Sequence, residues 1–127
     1  MTIRIVRLGC PRAPDEGLRI GAVRYPPRGV PKGELAARDF YDVWFPVLAP
    51  SAEALSNARG AKSDREWAAF EQRYRAEMKA ADRKRTLDLL AALSHSADFS
   101  LGCYCEDESR CHRSVLRALL EERGAKL

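Results

Sequence analysis

The stretch of sequence that decides the fold is residues 99–120, FSLGCYCEDESRCHRSVLRALL. Its first seven residues, 99–105, are mainly small or apolar, which predicts a short buried strand. The acidic segment at residues 106–109 predicts a turn, and Ser109 is suited to cap a helix that follows it. The inner face of that helix is formed by Cys111, Val115, Ala118 and Leu119. The stretch therefore predicts a strand, a turn and a helix at the carboxyl end of the chain.

Two segments near the start of the chain predict further strands. Residues 2–8 and residues 18–25 both alternate apolar with polar side chains, which is the two-residue period of a strand. The loop after them, PPRGVPKG at residues 26–33, contains three prolines and two glycines, which neither continue a helix nor complete a strand ladder. Residues 40–45 hold four aromatic rings, which we expect to pack in the core.

Three helices are predicted between residues 51 and 94. Ser51 is a suitable cap for the first, which runs through residue 58, and a capping box at residues 63–66 opens the second. The second runs to about residue 80, and its apolar stripe of Trp67, Phe70, Tyr74 and Met78 is expected in the core. The third covers residues 87–94. Residues 1–127 are thus predicted to form a single α/β domain, in which helices pack around a short, mostly parallel sheet.

The composition excludes two classes of protein and locates the charge. No stretch is long and apolar enough for a membrane span, and 46% hydrophobic residues exclude global disorder. The start of the chain lacks the apolar run of an export signal, so we expect a cytoplasmic protein with reduced cysteines. Residues 1–32 hold seven basic side chains against two acidic ones, whereas the rest of the chain is nearly neutral. This excess favours an anionic partner.

The cysteines near the end of the chain support three interpretations. Cys103, Cys105, Cys111 and His112 are the residue types of a complete zinc set, but the C-x-C spacing is shorter than the usual pattern. Adjacent Cys111 and His112 would also diverge on a regular helix. In the second interpretation the thiols are buried in the core as small hydrophobic residues and bind nothing. We favour this interpretation and predict no cofactor. In the third interpretation Cys105, at a strand end just before a helix, is a candidate nucleophile.

Another group of residues could bind an anionic ligand without any covalent chemistry. His112 and Arg113 fall in the first turn of the last helix, where free N–H groups attract anions. Arg24 and Arg28 flank the proline-rich loop and would converge on the same ligand if the strands are neighbours. His112, whose ordinary pKa lies near neutrality, is the candidate acid or base. The alternative partner is a nucleic acid bound on the basic N-terminal face, with Tyr25 for stacking.

Three ordered motifs span nearly the whole chain: RYPPRGVPKG at residues 24–33, EWAAFEQRYRAEM at residues 66–78 and SLGCYCEDESRCHRSVLRALL at residues 100–120. Together they resemble the YeaO-like family, domain of unknown function 488. The resemblance implies a small single-domain bacterial protein with an α/β fold, and it implies no particular activity. It adds Gly29, which follows Arg28 in the family's Arg-Gly pair, to the candidate ligand-binding residues.

The sequence therefore predicts a pocket for a small anionic ligand, such as a nucleotide or phosphate ester, at the carboxyl ends of the strands. The expected ligand-binding residues are Arg24, Tyr25, Arg28, Gly29 and Arg113, and the candidate catalytic residues are His112 and Cys105. The alternatives are a nucleic-acid-binding module and a protein that uses its thiols to bind zinc. Enzymatic activity and oligomeric state stay open at this point.

Overall fold

A computed structural model, which describes residues 2–127, has a four-stranded sheet at its centre. Every pairing within it is parallel, and the order across the sheet is β1-β4-β2-β3. The four strands are β1 (Ile3–Arg7), β2 (Leu18–Gly21), β3 (Val43–Trp44) and β4 (Phe99–Cys103). The prediction of an α/β fold with a short parallel sheet is confirmed.

Four helices cover this sheet. Their bounds are Ala52–Gly60 for α1, Asp64–Glu77 for α2, Ala81–Leu93 for α3 and His112–Glu122 for α4. The first two begin at the caps that the sequence predicts, because the Ser51 and Ser63 side chains accept hydrogen bonds from Ala54 N and Glu66 N. Between residues 2 and 127 there is no helix with the length and apolar character needed to cross a bilayer.

The last predicted strand, β4, forms the middle of the sheet. All five of its residues are buried, as expected for a parallel strand covered on both faces. Leu101 is paired with Ile5 on one side and with Ile20 on the other. The sheet leaves no room for a side chain at Gly21, where a Cβ would lie 2.5 Å from Tyr41 Cδ2.

The main core lies between the sheet and the helices α2 and α4. The apolar stripe of α2 is buried through Trp67, Phe70 and Tyr74, and α4 contributes an equally buried face. Tyr74 is fully buried, and its hydroxyl donates to Leu48 O over 2.5 Å. Such a partner offsets the cost of burying a phenol.

Two predictions about the strands differ from the structure. Strand β2 ends at Gly21, four residues earlier than predicted, because the following carbonyls are taken by side-chain donors rather than by another strand. Strand β3 is absent from the sequence prediction. Trp44, expected in the core, lies on this two-residue edge strand and is 44% exposed.

The predicted cap of the last helix is wrong. Ser109 belongs to a short 3-10 turn that Asp107 caps, since the Asp107 side chain accepts from Ser109 N over 3.0 Å. Helix α4 begins three residues later, with extended Cys111 (φ −132°, ψ 152°) as its N-cap residue. Cys111 is therefore not helical, and the divergence expected between the Cys111 and His112 side chains on a regular helix does not apply.

Candidate functional site

A cavity of about 720 Å³ opens at the carboxyl ends of the neighbouring strands β2 and β4. This is the edge at which open parallel sheets bind ligands, because loops and helix N-termini converge there. Its wall is built from the segment after β2, the end of β4, the N-terminus of α4 and the facing sides of α1 and α2. The lining residues include Arg24, Tyr25, Arg28, Arg59, Trp67, Phe70, Cys103, Cys105, Arg110, Cys111 and His112.

The charged side chains that line the cavity are all arginines. Arg24, Arg28, Arg59 and Arg110, here called the cavity arginines, all line it. Among the eighteen lining residues that the described chain provides, none is an aspartate or glutamate. Guanidinium groups on a wall without carboxylates generate a positive potential in a concave site, although Arg110 also pairs with Asp64 outside that wall.

Three ring donors hold the segment that follows β2. His112 Nε2 lies 2.7 Å from Ala22 O, Trp44 Nε1 donates to Val23 O over 2.8 Å, and the Tyr104 hydroxyl donates to Tyr25 O over 2.8 Å. These bonds satisfy carbonyls that would otherwise be unpaired at the strand end. They also fix the backbone on both sides of Arg24.

Arg24 itself holds the loop that precedes α1. Its guanidinium donates to Pro50 O over 3.0 Å and to Ala49 O over 3.2 Å. The next residue, Ser51, caps α1 and also donates to Glu77 Oε2 on α2. Arg24 therefore positions the wall that carries Arg59 while it lines the cavity.

The side chains of Arg28 and Arg59 have no hydrogen bond or ion pair within the part of the chain that the structure describes. Both are exposed and both line the cavity. Gly29, which the resemblance adds to the ligand-binding set, does not line the cavity; its φ of +74° is a conformation that favours glycine. We infer that Gly29 shapes the turn that presents Arg28.

Arg110 connects the 3-10 turn to α2. It forms an ion pair with Asp64, and its guanidinium lies 5.8 Å from the centre of the Trp67 ring. Trp67 packs against Phe70 with ring centres 4.8 Å apart, so one wall of the cavity is aromatic. A planar organic group would find an apolar surface there beside the guanidinium groups.

Thiols and an imidazole cluster at the buried end of the cavity. The ligand atoms of Cys103, Cys111 and His112 lie within 4.8 Å of one another, and all three residues are buried. Cys111 Sγ is 3.8 Å from His112 Nδ1. Cys105 Sγ is 3.9 Å from Cys103 Sγ, but Cys105 is exposed and lies outside the group of three. We call Cys103, Cys111 and His112 the buried triad.

The neighbouring thiols affect one another's acidity. Hydrogen bonds from Cys103 and Cys105, assisted by the His112 ring, lower the pKa of Cys111 despite its burial. Hydrogen bonding to Cys105 and to Cys111, together with burial, raises the pKa of Cys103. For Cys105, the bond from Cys103 lowers the pKa, but the bond to Cys111 and burial outweigh it and the pKa is raised. A thiolate is therefore favoured at Cys111, whereas the sequence nominates Cys105 as nucleophile.

Arg113 lies behind the thiols and not in the cavity wall. It is 3% exposed, its Nε donates to Cys111 Sγ over 3.4 Å, and its terminal nitrogen donates to Cys105 O over 2.5 Å. The structure thus places this expected ligand-binding residue where it supports the sulfur atoms and has no access to a ligand in the cavity.

A family model described as the "Active DUF488-N3 subclade" matches residues 3–124. The chain belongs to the DUF488 family. The likeness to YeaO-like proteins is consistent with this membership. No curated protein and no solved structure matches the chain.

In this DUF488 protein, most of the basic N-terminal face is already paired. Arg4, Arg7, Arg12 and Arg19 form ion pairs with Asp15, Glu106, Asp42 and Glu16, respectively. None of the acidic residues 106–108 lines the cavity, and Glu106 and Glu108 pair with Arg7 and Arg117. This pairing gives no support to the nucleic-acid alternative, which stays a prediction.

The structure brings Arg24, Tyr25, Arg28, Cys105 and His112 to one cavity. It adds Arg59, Trp67 and Arg110, which sequence reasoning missed. The capping-box helix gave Trp67 only as a core residue, and no local motif distinguishes Arg59 or Arg110 from other surface arginines. Only the packing of α1 and α2 against the strand ends identifies them as cavity residues.

Proposed function

We propose that the cavity binds a small anionic ligand with a planar organic part, such as a mononucleotide or an aromatic phosphate ester. The observation that carries the proposal is the set of four cavity arginines on a wall without carboxylates. A volume of about 720 Å³ lies within the range of small-ligand sites, roughly 300–1,000 Å³.

The cavity wall carries both arginine and aromatic side chains, which favours a ligand that combines an anionic group with a ring. Arg28 and Arg59 have donors that no described residue uses, and guanidinium groups bind phosphate through paired N–H donors. Tyr25, Trp67 and Phe70 supply aromatic surface on the same wall. We therefore expect a phosphorylated ring compound to bind more tightly than inorganic phosphate.

If the ligand reacts at a metal-free site, Cys105 and Cys111 are the candidate nucleophiles and His112 is the candidate acid or base through Nδ1, because its Nε2 is bonded to Ala22 O. All three residues line the cavity. The description of the matched subclade as active is consistent with a reaction.

The test is thermal denaturation in the presence of inorganic phosphate, a sugar phosphate and AMP. We expect AMP to raise the Tm most, since binding to the native state alone stabilises it. Arg28→Ala and His112→Ala should lose that rise. Arg38→Ala, which removes an exposed arginine outside the cavity lining, is the matched control and should keep it. An unchanged Tm across the panel would exclude the proposed ligand class.

A second candidate, zinc binding by the thiols, is favoured by one specific observation, the convergence of the buried triad. Measurement of the zinc content of reduced, purified protein tests it.

A further inference from the structure

We infer that the buried triad binds one zinc ion and that the fourth coordination position of this ion opens into the cavity. The inference deepens the proposed function, on which its ligand-binding part rests: a donor atom of the anionic ligand would coordinate the metal while the cavity arginines bind its charge. Two thiolates and one imidazole with a fourth position open to ligand are the ligand pattern of a catalytic zinc site.

The distances match tetrahedral coordination. Zinc–sulfur bonds of about 2.3 Å and zinc–nitrogen bonds of about 2.0 Å place neighbouring ligand atoms about 3.5–3.8 Å apart. Cys111 Sγ and His112 Nδ1 are 3.8 Å apart, and all three donor atoms lie within 4.8 Å of one another. Changes of up to about 1 Å in the separations of the donor atoms would complete the geometry.

The imidazole is oriented for this role. His112 Nε2 is 2.7 Å from Ala22 O, so Nε2 carries the ring proton and donates a hydrogen bond to the carbonyl. Nδ1 then presents its lone pair toward Cys111. Metal-binding histidines usually have such a second hydrogen bond, which fixes the tautomer and the ring orientation. The Tyr74 ring, edge-on with its centre 5.6 Å away, restricts the imidazole further.

Arg113 supplies independent support. A buried guanidinium ordinarily has an anionic partner, because an isolated buried charge is costly. No carboxylate lies within ion-pair distance of Arg113 in residues 2–127. Its partners are Cys105 O and Cys111 Sγ. A deprotonated Cys111, which is the form in which cysteine binds a metal, would provide a negative partner for the buried guanidinium.

Cys105 marks the open side of the site. It lines the cavity and is exposed; its Sγ is 3.9 Å from Cys103 Sγ, but it lies outside the three donor atoms that are all within 4.8 Å of one another. The three other ligands would hold the ion without it, so the position toward the cavity would be available to a ligand. Two thiolates offset the charge of the ion, and the metal would therefore attract the ligand by coordination more than by net charge.

Metal content measured by mass spectrometry on reduced, zinc-exposed and dialysed protein tests the site. The wild type should retain about one zinc per chain, and Cys103→Ala and Cys111→Ala should each fall below about a tenth of that, because two ligands hold the ion poorly. Cys105→Ser should retain it. Cys10→Ala is the matched control, since Cys10 is the remaining cysteine and lies outside the cluster.

A measurement on the wild type avoids variants that fail to fold. Cobalt(II) added to metal-free protein should produce the visible absorption of a tetrahedral thiolate complex, and zinc should abolish it. AMP should change that spectrum and should bind at least about tenfold more weakly to metal-free protein, through loss of one coordination bond.

Three results would overturn the inference in whole or in part. Less than a tenth of an equivalent of zinc in the wild type would exclude the metal site, and loss of zinc in Cys105→Ser as complete as in Cys111→Ala would exclude the open position. Equal AMP affinity with and without metal would also exclude the open position and leave the proposed anion site intact. Binding of AMP to neither form, with zinc retained, would instead contradict the proposed function.

Discussion

Two sets of arginines differ in what surrounds them. The paired set, Arg4, Arg7, Arg12 and Arg19, lies in or beside β1 and β2, and each member has a carboxylate partner. The cavity arginines line one concave wall that has no carboxylate among its described residues, and only Arg110 among them has a described ion pair, with Asp64 outside that lining. Two of them, Arg59 and Arg110, lie outside the first quarter of the chain, where the sequence concentrates its positive charge. The difference teaches that local pairing, and not the charge of a segment, decides where a protein attracts anions.

The largest expected effect comes from the paired set. Arg19 and Glu16 are 1% and 3% exposed, and Arg19 also donates to Cys10 O and Asp39 O. Arg19→Met would leave the buried Glu16 carboxylate and Cys10 O without partners, while Asp39 O would keep its bond from Gly9 N, and this should lower the free energy of unfolding by about 3–5 kcal/mol. Urea denaturation measures this loss, and AMP binding by the folded fraction should be unchanged.

Arg4→Met is the control for burial. Its ion pair with Asp15 is exposed, and such pairs contribute about 0–1 kcal/mol. If Arg19→Met cost no more than Arg4→Met, the structural role assigned to the buried pair would be wrong.

The next effect should appear in binding and not in stability. Arg28→Ala or Arg59→Ala should each weaken AMP binding by about 1.5–3 kcal/mol, the usual value of a hydrogen bond to a charged group. The free energy of unfolding should stay within about 0.5 kcal/mol, because neither side chain has a described partner to lose. Calorimetric titration and urea denaturation check the two halves, with Arg38→Ala as the control. A variant that lost stability and kept its affinity would reverse the assignment.

Arg24 combines both properties and should show both effects. Arg24→Ala removes two hydrogen bonds to the Ala49 and Pro50 carbonyls, which should lower the free energy of unfolding by about 1–2 kcal/mol. It should also weaken AMP binding, because the loop that leads to α1 loses its support. Arg24→Lys, which keeps the charge but not the planar fork, should recover little of either. Full recovery by lysine would mean that charge alone matters at this position.

The smallest effect concerns the acid side of the stability curve. The Arg12 hydrogen bond holds the pKa of Asp42 below its ordinary value of 3.8. Stability from this pair is therefore present above pH 3.8 and is lost as the pH falls through the lower folded-state pKa. Asp42→Asn should cost about 0.2–1 kcal/mol at neutral pH and nothing once the wild-type carboxylate is protonated. Urea denaturation between pH 2.5 and 7 measures the difference; a pH-independent cost would contradict the pairing.

Much of the fold follows from local signals in the sequence. The Ser51 and Ser63 caps, the apolar stripe from Trp67 to Tyr74 and the buried run at residues 99–103 each specify an element by spacing alone. Strand β3 could not be predicted, because its two residues join the sheet only through pairing with Ile20 and Gly21. The start of α4 was misplaced because Ser109 looks like a helix cap in the sequence. In the structure Ser109 lies within a 3-10 turn that Asp107 caps, and α4 begins after Cys111.

The residues of the candidate site that closely follow a strand in the sequence could be predicted. Arg24, Arg28 and His112 follow from the parallel-strand rule once β2 and β4 are neighbours. Arg59 and Arg110 do not, since their place depends on how α1 and α2 pack. The buried position of Arg113 was also hidden, because a sequence gives no sign that an arginine's partner is a sulfur atom.

The most direct test is an AMP titration of the isotopically labelled protein followed by backbone amide chemical shifts. The cavity account predicts that the largest changes fall within residues 23–28, 103–105 and 110–112 and include Arg59. Changes confined to the paired set in β1 and β2, or no changes at millimolar AMP, would contradict the claim that the cavity arginines form the anion site.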